Sequence, residues 1–268
     1  MHSKLIFGSH AAKYWFPDFR DSISGDIDYI SHEKIKTKEE EHHHFGPSFD
    51  YILENNRDST YVDPNFLANL KYAHLGWDGH WWQKTADDVT WFQLRISDHP
   101  ELAFDPVLYK MFVKDFTALY GKRWAKMKGK DSKTFFEDKV DRKYIHDTIH
   151  EAVAYYDRPL YMEILKDDTG SVVCSEEKFN KLSDRQRLEL AKEEIFVTAL
   201  ERWLVPKNFE ISPNRAYAAA LKKFASTMSA GFMKKYILSH FAELRLNKDY
   251  NWIEKFKQGL KNGIVRSI

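Results

Sequence analysis

Two short segments near the start of the chain constrain it more than anything else in it. Residues 3–8, Ser-Lys-Leu-Ile-Phe-Gly, read as a buried strand that stops at a glycine turn. Residues 10–16 then allow one brief helix, which Pro17 ends. Beyond a loop rich in Asp, Ser and Gly, Asp26-Ile27-Asp28-Tyr29-Ile30 alternates polar and apolar side chains, the period of a strand with one buried face. A Gly8-Ser9 turn straight after a strand exposes backbone N–H groups and a small hydroxyl, so a triphosphate meets donors and nothing bulky. Two aspartates at i and i+2 of a strand project to one face, where they grip one or two divalent cations. Cations held in that way activate an attacking hydroxyl and neutralise charge on a transferred phosphoryl group.

After this unit the pattern turns helical. Residues 32–44 are very polar and read either as an exposed strand leading into Phe45 or as a mobile loop. From Pro64 onward, Phe66, Leu67, Leu70 and His74 recur at three- and four-residue spacing. Further helices are predicted over 85–94, 106–120 and 135–156, and residues 161–174, around Asp168-Thr169-Gly170, read as a hairpin. The clearest helix covers 185–204, with Leu188, Ala191, Ile195, Thr198, Ala199 and Trp203 on one stripe. Ser183 stands at its N-cap with Gln186 as the capping-box partner, and Pro206 follows its end. Two more helices are expected over 215–226 and 231–246. The sequence therefore predicts an α+β fold: a small N-terminal mixed sheet with helices, then a large, mostly α-helical region. We divide it into an α/β unit with the first helices, 1–100, and a helical domain, 101–268. The basic run 121–133 is the most linker-like stretch, and no internal repeat is present.

Composition removes several classes of function. Of the 268 residues, 43% are apolar and 15% aromatic, which excludes a disordered chain and predicts a dense core. Lys and Arg total 41 against 40 Asp and Glu, a net charge of +1. That balance argues against nucleic-acid binding through global charge and leaves only a local basic patch open. A single cysteine, Cys174, excludes an intrachain disulfide framework, and without a metal-spaced partner it reads as a small apolar residue. The apolar stretch at the start is too short for a signal peptide, and no run approaches 18 apolar residues. We expect a soluble, cytoplasmic protein with no membrane partner.

Phe7-Gly8-Ser9 followed by Gly25-Asp26-Ile27-Asp28-Tyr29-Ile30 resembles the DNA polymerase β-like nucleotidyltransferase superfamily. Its signature is Gly-Ser or Gly-Gly, a spacer, then Asp-x-Asp or Asp-x-Glu between apolar residues. More narrowly, the chain looks like the nucleotidyltransferase-like proteins encoded by tailed bacteriophages. Leu70-Lys71-Tyr72-Ala73-His74, Lys84-Thr85-x-x-Asp88 and Arg142-Lys-Tyr-Ile-His146-Asp147-x-x-His150 carry that likeness. The superfamily resemblance covers about the first fifth of the chain. It implies Asp26 and Asp28 as catalytic metal ligands, Mg²⁺ (or Mn²⁺) as cofactor and an NTP as substrate. It also implies a third carboxylate on a neighbouring strand. Glu41 is the first choice, since it precedes Phe45 in what reads as that strand; Asp50 is the second, although Pro47-Ser48 before it looks like a helix start. The sequence departs from the signature in its spacer, where 16 residues separate Ser9 from Asp26.

Two other clusters bear chemistry. Lys71 and His74, three apart, share a helix face, and Lys84 follows a turn containing Trp77, Trp81 and Trp82. With the resemblance, Lys71 or Lys84 is a candidate to neutralise the β- and γ-phosphates, His74 to hold the nucleotide, and the tryptophans to stack a base. The plainer reading has the tryptophans anchoring the α/β unit and the lysines solvated. His146 and His150, at i and i+4 with Asp147 between them, have the spacing of two imidazoles on one metal. The plainer reading there is a polar lock onto Glu193, Glu194 or Glu201. The run His42-His43-His44 reads as solvated, or as part of the active-site rim.

Together these residues predict a metal-dependent nucleotidyltransferase that moves a nucleoside monophosphate from an NTP to an acceptor hydroxyl. The acceptor, whether nucleic acid, small molecule or protein, is not encoded in any motif. The alternatives are a metal-dependent phosphohydrolase centred on His146, Asp147 and His150, and a non-catalytic binding or inhibitory protein of nucleotidyltransferase shape.

Overall fold

The computed structural model describes residues 3–23, 25–33, 40–44, 46–76, 82–119, 180–188, 191–192, 195, 199, 217–222, 225 and 236–246. The chain forms two compact units, Met1–Lys128 and Gly129–Ile268. The fold is α+β: a small mixed sheet at the N-terminus, followed mainly by helices.

In the first unit, β1 (Leu5–Ile6), β2 (Ile27–Ile30) and β3 (Glu40–His43) form one sheet in the order β1-β2-β3. β1 pairs antiparallel with β2, and β2 pairs parallel with β3. Leu5, Tyr29 and Ile30 are fully buried; Tyr29 and Ile30 are neighbours that point to opposite faces, so both faces of β2 are covered at its end rather than the single face that the alternation predicts. Ile6 also bridges to Tyr61, with Ile6 N donating to Thr60 O at 2.8 Å and Val62 N to Ile6 O at 2.8 Å. The polar segment 40–43 is thus a strand, and the alternative of a mobile loop does not hold for it. Lys4 fixes one face of the sheet, its Nζ lying 2.6 Å from Glu40 Oε1 and 4.5 Å from the centre of the Tyr29 ring.

The helices follow the sequence pattern closely. α1 (Gly8–Trp15) ends just before Pro17. α2 (Pro47–Asn55) and α3 (Pro64–Leu75) each begin on a proline, whose missing N–H costs nothing in the first turn. α4 (Trp82–Gln93) packs on α3, and a fifth helix, α5, covers 106–119. The 3₁₀ turn Pro100–Leu102 sits against α3, where the Tyr72 hydroxyl donates to Leu102 O at 3.2 Å. Burial raises the pKa of that hydroxyl and keeps it a donor.

The spacer between Ser9 and Asp26 is built into the core. Phe19 is buried and stacks on Phe92 of α4 at 5.6 Å between ring centres, with Trp91 edge-on at 5.1 Å. Arg20, at φ +54°, pairs with the buried carboxylate of Asp88 on α4, and Lys13 of α1 donates to its carbonyl at 2.8 Å. The length of the spacer therefore lets Phe19 and Arg20 reach α4 before the chain returns as β2.

In the second unit, the capping box at Ser183 is formed: Ser183 N donates to Gln186 Oε1 at 2.9 Å, and Gln186 N to Ser183 Oγ at 3.3 Å. Ala191, Ile195 and Ala199 of the helical stripe are buried. Residues 217–222, 225 and 236–246 carry helical structure, including the helix Phe241–Leu246. The Tyr236 hydroxyl donates to Asp184 O at 2.8 Å, and the Tyr217 hydroxyl to Leu244 O at 3.1 Å. The helix expected over 135–156 and the hairpin over 161–174 lie outside the described residues.

Candidate active site

Gly8 is where β1 turns into α1. Its φ of +67° lies in the left-handed region that favours glycine. A Cβ at this position would overlap Asp28 Oδ2 and stand 3.1 Å from Asp28 Cγ. The backbone also joins here, Phe7 N donating to Asp28 O at 2.9 Å. Ser9 is buried in the first turn of α1, the positive end of the helix dipole. Phe7, at the N-cap position, has no side-chain acceptor to offer that turn. Gly8 and Asp28, far apart in sequence, are thus in contact.

The parallel register sets Asp28 opposite Glu41. His43, two residues along β3 from Glu41, projects to the same side. Asp28, Glu41 and His43 each offer one ligand atom, and these atoms lie within 4.8 Å of one another. His43 Nε2 is 3.0 Å from Asp28 Oδ1 and 3.8 Å from Glu41 Oε1. A carboxylate only accepts, so Nε2 carries the hydrogen in the shorter contact. Phe7 meets the His43 ring edge-on at 5.0 Å and limits its rotation. Asp28 Oδ1 therefore meets His43, and Oδ2 lies in the space that a side chain at Gly8 would need. Asp26 is exposed, two residues earlier at the mouth of β2. Strand parity gives it the same side as Asp28, but the three-residue group of ligand atoms is Asp28, Glu41 and His43.

The three consecutive histidines part company. His42 Nε2 lies 2.9 Å from Ser31 O, His43 meets Asp28, and His44 Nε2 lies 2.7 Å from Asp50 Oδ1. The run is not simply a solvated stretch. Alternation along the strand was the available signal, since residues 41 and 43 share a face while 42 takes the other. Asp50, the second choice for the third carboxylate, sits in the first turn of α2, where its partners are His32 and His44.

The second cluster meets the first through His74. Its pKa is lowered to about 4, chiefly by burial and then by electrostatic interaction with Lys71 and His43. At neutral pH this imidazole is uncharged and serves as a hydrogen-bonding group only. Lys71 Nζ stands 3.0 Å from Asp88 Oδ2, so it shares that buried carboxylate with Arg20. Lys84 is exposed on α4, and its carbonyl accepts from Arg20 NH2 at 3.3 Å. Trp82 is buried, its Nε1 donating to Leu75 O at 3.1 Å. Trp77 and Trp81 lie outside the described residues, as do His146, Asp147 and His150 and the carboxylates Glu193, Glu194 and Glu201.

The described residues contain no helix long and apolar enough to cross a membrane. Residues 66–255 match DUF7275, a domain of unknown function, and the chain belongs to that family. The match takes in Lys71, His74, Lys84 and Asp88 and begins after Gly8, Asp28 and Glu41. No curated protein and no solved structure matches the chain significantly.

Proposed function

We propose that this DUF7275 member is a metal-dependent nucleotidyltransferase whose centre is Gly8, Ser9, Asp26, Asp28 and Glu41. The observation that carries the reading is a double contact of Asp28. Its carboxylate meets Gly8, the residue of the phosphate-type turn, and faces Glu41 across the parallel ladder. Two carboxylates beside a helix N-terminus suit a cation–triphosphate complex, with oxygens for the hard cation and N–H groups for the anion. Gly8 leaves the room that the Asp28 carboxylate occupies beside the turn, which any larger residue would take from it.

In this reading the first turn of α1 receives the triphosphate, and Asp28 and Glu41, with Asp26 beside them, hold Mg²⁺ (or Mn²⁺). A cation bound there supplies charge neutralisation at the α-phosphate and lowers the pKa of the acceptor hydroxyl. His43 fixes the Asp28 carboxylate through Oδ1, the outer-shell service that histidines and carboxylates give each other at metal sites. One carboxylate accepts the hydroxyl proton as that oxygen bonds to the α-phosphorus. The bond from the α-phosphorus to the bridging oxygen breaks, and pyrophosphate leaves with the electron pair. His74, neutral at pH 7, contributes a hydrogen bond rather than charge.

Calorimetric titration with each NTP, with and without Mg²⁺ or Mn²⁺, tests the proposal on the wild type, Asp28→Asn and Glu41→Gln. Metal-dependent binding that both substitutions abolish is the expected result, with pyrophosphate release once an acceptor is supplied. Binding that ignores the metal, or survives both substitutions, sinks the assignment.

A further inference from the structure

Beyond the Asp28 centre, we infer a second, chemically different metal site formed by His32, His44 and Asp50, suited to a borderline transition-metal ion of the Zn²⁺ type. The three residues come from separate elements. His32 follows the end of β2, His44 follows the end of β3, and Asp50 lies in the first turn of α2. One ligand atom of each falls within 4.8 Å of the others. His44 Nε2 stands 2.7 Å and His32 Nδ1 3.2 Å from the same oxygen, Asp50 Oδ1. The two imidazole rings are 5.8 Å apart and tilted by 48°, so they converge on that oxygen without stacking on each other.

The chemistry of the donors separates this site from its neighbour. Two imidazole nitrogens and one carboxylate suit Zn²⁺, Fe²⁺, Co²⁺ or Ni²⁺, whereas the carboxylate pair Asp28 and Glu41 suits Mg²⁺ or Mn²⁺. Tetrahedral Zn²⁺ with bonds near ~2.1 Å sets its ligand atoms roughly 3.4 Å apart, so small side-chain rotations from the present spacings suffice. The side chains are 42%, 27% and 39% exposed, which leaves an ion a way in and leaves its fourth position to water. Two histidine–carboxylate hydrogen bonds at that exposure would add little stability by themselves. A bound ion would tie the ends of β2 and β3 to α2.

The test uses the full chain, freed of metal by a chelator and titrated with Zn²⁺ by calorimetry, with Co²⁺ absorption as an optical readout of coordination. One high-affinity equivalent is expected, with Co²⁺ bands of a tetrahedral centre. His32→Ala, His44→Ala and Asp50→Asn should each weaken Zn²⁺ binding by at least about tenfold, the lower end of the loss from removing even an outer partner. Asp28→Asn should leave Zn²⁺ binding intact while removing metal-dependent NTP binding, so the two sites fail separately. Should a variant not fold, imidazole nitrogen NMR shifts of His32 and His44 during Zn²⁺ titration of the wild type give the answer without any substitution. Unmoved His32 and His44 signals, no stoichiometric binding, or full affinity in the His32→Ala/His44→Ala double variant overturns the inference.

Discussion

Gly8 and Asp28 are fitted to each other: the glycine holds φ at +67°, and a methyl group on its α-carbon would occupy the space of Asp28 Oδ2. Gly8→Ala therefore carries two penalties. Holding alanine in the left-handed region costs about 1 kcal/mol, and the carboxylate must move as well. The expected outcome is a modestly less stable protein that has lost metal-dependent NTP binding, seen by denaturant titration alongside calorimetry. A stable Gly8→Ala protein that still binds would show that the contact is not needed for binding.

Asp88 holds Arg20 and Lys71 together, joining the spacer, α3 and α4. Asp88→Asn leaves two part-buried cations without their counter-charge. Breaking such a pair from one side is costly, and with some solvent reaching both cations we expect about 3 kcal/mol of lost stability. Urea unfolding measures it. The Arg20→Met/Asp88→Leu double variant should recover part of the loss, because no charge is then stranded between Arg20 and Asp88.

His74 makes stability depend on pH. Its folded pKa, about 4, lies below the ordinary histidine value of 6.5. Between those values the unfolded chain binds a proton that the folded chain does not. The contribution is thus fully present above pH 6.5 and declines as pH falls towards 4, by up to about 3 kcal/mol. Chemical denaturation at pH 7.5 and pH 4.5 should show a markedly smaller difference for His74→Gln than for the wild type.

Asp115 of α5 caps α2 from a distance, its Oδ2 accepting from Ser48 N at 2.6 Å. Gly46, at φ +136°, sits directly against it, and an added Cβ would come within 2.8 Å of Asp115 Cγ. Asp115→Ala should cost about 1–2 kcal/mol, the range for a lost N-cap acceptor. Asp115→Asn, which keeps an acceptor oxygen, should cost less, and Gly46→Ala should destabilise through strain and displacement together. Thermal unfolding of the three variants gives the order directly.

Much of the local structure was legible in the sequence because its causes are local. Pro17 and Pro47 mark a helix end and a helix start through the missing N–H, and Ser183 with Gln186 closes a box three residues wide. The superfamily resemblance pointed to Glu41, and the structure sets it beside Asp28. What the sequence did not disclose rests on distant pairing. Arg20 and Asp88 are 68 residues apart, and nothing in either neighbourhood announces the other. The histidine run misled for a related reason. Its composition is that of a solvated segment, and only the pairing of β3 with β2 sends His43 to Asp28 and leaves His44 to Asp50.

The stretch Glu40-Glu41-His42-His43 is nearly self-similar under a shift of one residue. Slid by one position, β3 would offer Glu40 and His42 to the Asp28 side in place of Glu41 and His43, with the donor types unchanged. Chemistry at the site does not choose between the two alignments. The choice falls to a group that takes no part in it: His42 faces Tyr29 at 5.2 Å between ring centres and sets its Nε2 2.9 Å from Ser31 O, a place that Glu41, a carboxylate with no hydrogen to give a carbonyl, would take in the slid alignment. His42 thus acts as a reading-frame mark for the sheet, and an exchange such as His42→Glu would remove that mark and mis-set the carboxylates without touching either one.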